Sequence, residues 1–95
     1  MARKSKVKID LSEVTSNEQL HFLLMNNLSF PAWYGKNWDA FWDVITGLVE
    51  MPEILEFNAW LELESKLPKE ANMLKSCLDE MSQEFPELAS IVYYL

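Results

Sequence analysis

Apolar and polar positions alternate through Val7-Lys8-Ile9-Asp10-Leu11, the period-two pattern of a half-buried strand. The period then changes. Thr15-Ser16-Asn17-Glu18 reads as a helix start, with Thr15 as the cap and Glu18 three residues on, as a capping box requires. Leu20, Leu23, Leu24 and Leu28 follow at helical spacing, so a first helix is expected to run to about Asn26. Ser29 to Lys36 is a loop, because Pro31 blocks helix extension and Gly35 offers a conformation that other residues resist. Asn37 is a good N-cap for a second helix from about Trp38 to Thr46, with Gly47 as its stop. Glu53 to Phe57 reads as a short strand and Ala59 to Lys66 as a third helix. A fourth helix, Lys69 to Glu84, has Met73, Leu74, Cys77, Leu78 and Met81 as its expected buried stripe. Ser90 to Leu95 is β-branched and aromatic and reads as a terminal strand.

Strands separated by helical segments predict an α/β fold: a three-stranded parallel sheet with about four flanking helices. The 95 residues suit one domain, 1–95, with residues 1–6 as a flexible basic tail. The single cysteine, Cys77, excludes an internal disulfide and reads as a small core residue in a reducing compartment. Asp10 interrupts the N-terminal segment before any apolar run long enough for a signal, and no stretch suits a membrane span. A cytoplasmic location is therefore expected. The lone histidine, His21, has no Cys or His at ligand spacing and reads as a surface residue of the first helix.

Charge changes this picture. Net charge is -7, yet four of the eight basic residues lie in the first eight positions. From Asn37 to Ser65 there are seven acids and no Lys or Arg. Such a stretch repels nucleic acid and acidic membranes and attracts a basic protein, although a solvated acidic surface would read the same way.

The second helix sharpens the reading. On a helical wheel Phe41, Val44, Ile45 and Leu48 share the core side, while Asp39, Asp43 and Thr46 lie opposite. Asp39 and Asp43, four apart, project together, and like charges at that spacing cost a few tenths of a kcal/mol (~0.2–0.5) in an isolated helix. Trp42 lies beside them, away from the core centre, whereas Trp38 sits at the core's edge. With Trp33 and Tyr34 in the preceding loop, these residues form a candidate surface of aromatics, carboxylates and bare backbone. Tyr and Trp are enriched among residues that dominate binding energy.

The run Pro31-Ala32-Trp33-Tyr34-Gly35-Lys36-Asn37-Trp38-Asp39-Ala40-Phe41-Trp42-Asp43-Val44-Ile45-Thr46-Gly47 resembles the central segment of the barstar family of intracellular ribonuclease inhibitors. The shared frame is Pro, then Tyr-Gly-x-Asn-x-Asp-Ala-x-Trp-Asp-x-x-Thr-Gly. The resemblance implies a barstar-like parallel sheet and inhibition of a ribonuclease by plugging its basic active site, with no catalysis and no cofactor. It implies that Asp43 takes the place of a substrate phosphate and that Asp39 is a second inhibitory carboxylate. Trp33, Tyr34, Gly35, Asn37, Trp42, Thr46 and Gly47 match contacting or pattern positions, and Glu80 fits a contacting glutamate of the fourth helix. The implied partner is a basic bacterial ribonuclease, bound by a monomer in a 1:1 complex, as in toxin–antitoxin or immunity systems. Three departures stand out: Trp33 replaces a Tyr, Leu48 a Trp and Lys36 an acid. About two residues are also inserted near Phe85-Pro86.

Two other readings remain open. One is an acidic interaction module of the same fold, an immunity protein or scaffold that binds a different basic protein. The other is an enzyme using Asp39 and Asp43 as acid and base. That reading lacks a cleft, a Gly-rich phosphate loop, a nucleophile elbow and clustered His or Cys ligands.

Overall fold

A computed structural model describes residues 3–95. The elements follow one another as β1 (Lys6–Asp10), α1 (Asn17–Leu28), α2 (Trp38–Gly47), β2 (Ile54–Asn58), α3 (Trp60–Lys66), α4 (Pro68–Glu84) and β3 (Ile91–Tyr94). The three strands form one parallel sheet in the order β1-β2-β3. Val7 pairs with Leu55 and Leu55 with Val92; Ile9 pairs with Phe57 and Phe57 with Tyr94. These six residues alternate with exposed or half-exposed neighbours, so one sheet face carries the core. Leu20, Leu24, Phe41, Val44, Ile45, Leu63, Leu74, Leu78 and Met81 pack on it from the four helices. The other face bears Lys6, Lys8, Glu56 and Tyr93, with an ion pair between Lys6 and Glu56 at 3.3 Å.

Where local structure departs from the sequence reading, the cause is visible. The cap of α1 is Ser16, not Thr15: its side chain accepts from the Gln19 N–H at 3.1 Å. Gln19 in turn accepts from the backbone N–H and hydroxyl of Thr15, at 2.8 and 2.9 Å. Gln19 therefore holds Thr15, the residue before the cap, rather than the cap's own N–H, and the cap lies one residue on from the expected one. The helix continues to Leu28 and closes on Ser29, which adopts a left-handed conformation at φ 59°. Gly35 carries no positive φ; Lys36 beside it does, at 54°. What Gly35 permits is closeness, since a Cβ there would lie 3.3 Å from Asn37 Nδ2 and 3.4 Å from the Ala40 Cβ. Gly47 likewise ends α2 without a left-handed turn, with Leu48 following at φ -117°.

Four side chains also fall outside their expected places. His21 is completely buried rather than on the surface. Leu48, expected in the core, is 54% exposed because α2 ends before it. On α4 the buried stripe is Ala71, Leu74, Leu78 and Met81, so Met73 is exposed and Cys77 half-buried. The stripe is rotated toward Ala71, which places Met73 and Cys77 on the side facing α2.

The expected basic tail is anchored over Arg3 to Lys6, while Met1 and Ala2 lie outside the described residues. The Arg3 guanidinium donates to the carbonyls of Met51, Pro52, Ala89 and Glu87, at 2.8, 2.9, 3.1 and 3.3 Å. It thereby ties the segment before β1 to those before β2 and β3. No helix among the described residues is long and apolar enough to cross a membrane.

Candidate functional site on the acidic helix

Helix α2 begins where a short polar side chain can take over an orphan amide. Asn37 is extended, and its Oδ1 accepts from the Ala40 N–H at 2.7 Å. Its own carbonyl accepts from the Phe41 N–H at 2.9 Å. This fixes the first turn, where Asp39 lies favourably toward the positive end of the helix dipole. One turn on, Asp43 projects from the same exposed side. Phe41, Val44 and Ile45 anchor the opposite side in the core.

Between α2 and α4 lies an open groove of about 500 Å³, lined by Trp38, Asp39, Trp42, Asp43, Met73, Cys77 and Glu80. Its floor is two indoles, a thioether and a thiol; its charged groups are three carboxylates, and no Lys or Arg lines it. The one ion pair among the described residues, Lys6 with Glu56, is elsewhere. The effect of these carboxylates is felt by Cys77, whose thiol is pushed upward by burial and then by Glu80 and Asp39. An elevated thiol is a poor nucleophile, which fits a packing role for this cysteine.

The structure brings Asp39, Trp42, Asp43 and Glu80 together and separates the remaining candidates. Trp42 is half-buried rather than fully exposed, its ring 6.3 Å from Phe85. Trp33 is 73% exposed at the tip of the preceding loop. Tyr34 points the other way and is only 4% exposed, edge-on to Phe30 at 5.0 Å. Gly35 and Asn37 are exposed beside the helix start, and Gly47 is exposed at its end. Thr46 is half-buried and turns its hydroxyl back to the Trp42 carbonyl at 2.6 Å.

The tie between α4 and the site escaped the sequence reading. Trp38 Nε1 donates to Glu70 Oε2 at 2.7 Å, locking the first turn of α2 to α4. A larger depression of about 790 Å³ lies along α1, lined by Asp10, Glu13, Glu18 and Phe22 among others. It shares no residue with the α2–α4 groove. Among the described residues no group of three or more His, Cys, Asp or Glu side chains could hold a metal ion.

The Barstar (barnase inhibitor) family model matches residues 5–93, and the chain belongs to that family. A protein of Bacillus subtilis (strain 168) named "Putative ribonuclease inhibitor YrdF" is 31% identical over 87 residues. That match covers 92% of this chain and 96% of the relative. The parallel sheet and its helices are therefore those of a barstar-like domain.

Proposed function

We propose that this protein is a ribonuclease inhibitor that acts by occlusion, not an enzyme. Its acidic helix α2, with Glu80 of α4 and the aromatic loop before it, occupies the basic active site of a bacterial nuclease in a 1:1 complex. The observation that carries this reading is the groove that Asp39, Asp43 and Glu80 line together with two indoles, and that no Lys or Arg lines. A ribonuclease site is basic because it must bind and stabilise phosphate. A carboxylate on a rigid helix presents negative charge at a fixed place and contains no scissile bond. Family membership and the name of the Bacillus subtilis relative support the same assignment.

Roles follow from position. Asp43 stands for the phosphate and Asp39 for a second anionic contact. Trp33 and Trp42 supply apolar area at the rim and floor. Gly35 keeps the loop low enough for close approach, while Tyr34 shapes that loop from beneath. The three carboxylates also steer an approaching basic partner. An inhibitor of this kind works where its nuclease would otherwise attack the cell's RNA, in the cytoplasm, as in immunity to a nuclease toxin.

The test is titration of RNA cleavage by a panel of small basic ribonucleases and toxin nuclease domains, with Asp43→Ala in parallel. Stoichiometric inhibition by the wild type and a loss of more than about tenfold in affinity for the variant (roughly 1.4 kcal/mol) are expected. A folded Asp43→Ala protein binding within a factor of ~3 of wild type would remove Asp43 from its central role. Failure against every nuclease would favour an interaction module for another basic protein.

A further inference from the structure

His21 is the only histidine of the chain, and it is completely buried at the back of the recognition surface. Its Nδ1 lies 2.6 Å from Tyr34 Oη. The ring sits 4.3 Å from Trp38, between α1, the loop and the first turn of α2. Tyr34 Oη in turn reaches the Asn37 carbonyl at 3.4 Å, the cap of α2. His21 Nε2 is buried without a hydrogen-bond partner among the described residues.

These contacts fix the proton. If Nε2 carried the hydrogen, a buried donor would have no acceptor. If Nδ1 carries it, Nδ1–H donates to Tyr34 Oη, whose hydroxyl can donate to the Asn37 carbonyl, and only a lone pair goes unmatched. The second arrangement costs less. The chain His21–Tyr34–Asn37 then runs from α1 through the loop to the cap of the acidic helix.

We infer that His21 is a positioning residue whose neutral ring holds residues 33–37 and the first turn of α2 in the shape that meets the partner, and whose protonation releases them. This rests on the recognition surface proposed above. A proton on Nε2 would put a positive charge, with an unmatched donor, into an apolar site. The groups facing the ring are Tyr34 from the loop, Trp38 from α2 and Glu70 from α4. Tyr34 stays protonated, since burial and then Cys77 push its phenol well above the usual range. Glu70 is the one neighbour that favours the charged ring, but it is engaged by Trp38 Nε1. Burial outweighs it and lowers the His21 pKa from 6.5. To be solvated, or to claim Glu70, a charged ring must leave its place beneath Tyr34 and beside Trp38, taking the loop's support with it.

The single histidine makes the test clean. Its ring resonances and the backbone amides of Trp33 to Asn37 are followed by NMR from pH 8 to 4.5 in the free protein. His21 is expected to titrate below 6.5, with the loop amides moving at the same midpoint while the sheet amides hold still. Tyr34→Phe should uncouple the loop amides from that midpoint. His21→Gln, whose amide can still donate to Tyr34 but does not titrate, should keep the loop ordered with no response. In an inhibition arm, affinity for the nuclease should fall about tenfold per pH unit well below the midpoint, because only the neutral form is competent. That dependence should be absent in His21→Gln. A midpoint at or above 6.5, loop amides that ignore it, or loss of all amide dispersion at that midpoint would each overturn the proposal. The NMR arm needs no nuclease, so it stands or falls apart from the ribonuclease assignment.

Discussion

The cap of α2 supports both the helix and the loop, which makes Asn37 the place to measure how firmly the acidic surface is held. In Asn37→Ala the Ala40 N–H loses its 2.7 Å acceptor. The exposed position lets water replace part of that bond. The expected cost is therefore near the middle of the range for capping residues, about 1 kcal/mol. For a domain of this size that is a fall of roughly 4–8 °C in melting temperature. Asn37→Asp keeps a capping oxygen and adds negative charge at the helix N-terminus, so it should stay within about 0.5 kcal/mol of wild type. Asn37→Gly should cost only a few tenths (~0.3 kcal/mol). The assay is urea unfolding followed by tryptophan fluorescence, with the slope expected to be unchanged so that midpoints report stability. An Asn37→Ala protein as stable as wild type, or an Asp variant as unstable as Ala, would refute the capping argument. Parallel inhibition data then separate holding from touching. If Asn37 acts through the helix, the Asp variant inhibits normally and Ala is impaired only as far as its helix start frays.

Arg3→Ala removes four bonds to backbone carbonyls that join the segments before all three strands, and should lower stability by about 1–3 kcal/mol in a thermal or urea melt. Because the pKa of His21 is depressed on folding, the unfolded chain takes up the proton first. Stability should be level above pH 6.5 and fall, by up to about 1.4 kcal/mol per unit, as pH drops from there through the lower folded value. His21→Gln should flatten that limb of the pH profile. Stopped-flow association with a susceptible nuclease should slow sharply as ionic strength rises, with a shallower dependence in Asp39→Asn/Asp43→Asn, whereas a partner held by apolar contacts would show little salt effect.

Much of the fold was legible because its signals are local. Alternation in Val7 to Leu11, the Asn37 cap and the β-branched end of the chain each place an element to within a residue or two. Other positions are decided by tertiary context. By residue type His21 reads as a surface residue, yet its place on the helical wheel argues for burial. Counting about 100° per residue, His21 lies only about 20° from Leu28 and on the side of Leu20 and Leu24. Leu48 is the opposite case, since its angular position is right but the helix has ended before it. By sequence Tyr34 and Trp33 read as one aromatic surface, but Tyr34 is buried and Trp33 exposed. The sequence cannot show that adjacent loop side chains point apart, one into the core and one into solvent. The Trp38–Glu70 bond joins residues 32 apart in the chain, and no spacing rule within one element reaches it.

The misplaced side chains lead to the site. The sequence pattern places Trp42 on open surface and Met73 and Cys77 in the core, yet all three line the groove between α2 and α4. Their place in a groove, neither core nor open solvent, would serve the proposed partner. Carboxylates fully surrounded by water attract a cation weakly, because solvent screens them. Carboxylates buried without partners would be neutralised or would destabilise the fold. Asp39, Asp43 and Glu80 take neither course: they stand at the lip of an apolar floor that a partner can seal. If the partner is the basic nuclease proposed above, closing that floor would remove water from around the charges only once the opposing cations are in place, and the attraction would strengthen on docking. The cost is the one like-charge pair on α2, Asp39 with Asp43, which the core side of that helix and the Trp38–Glu70 tie hold in register.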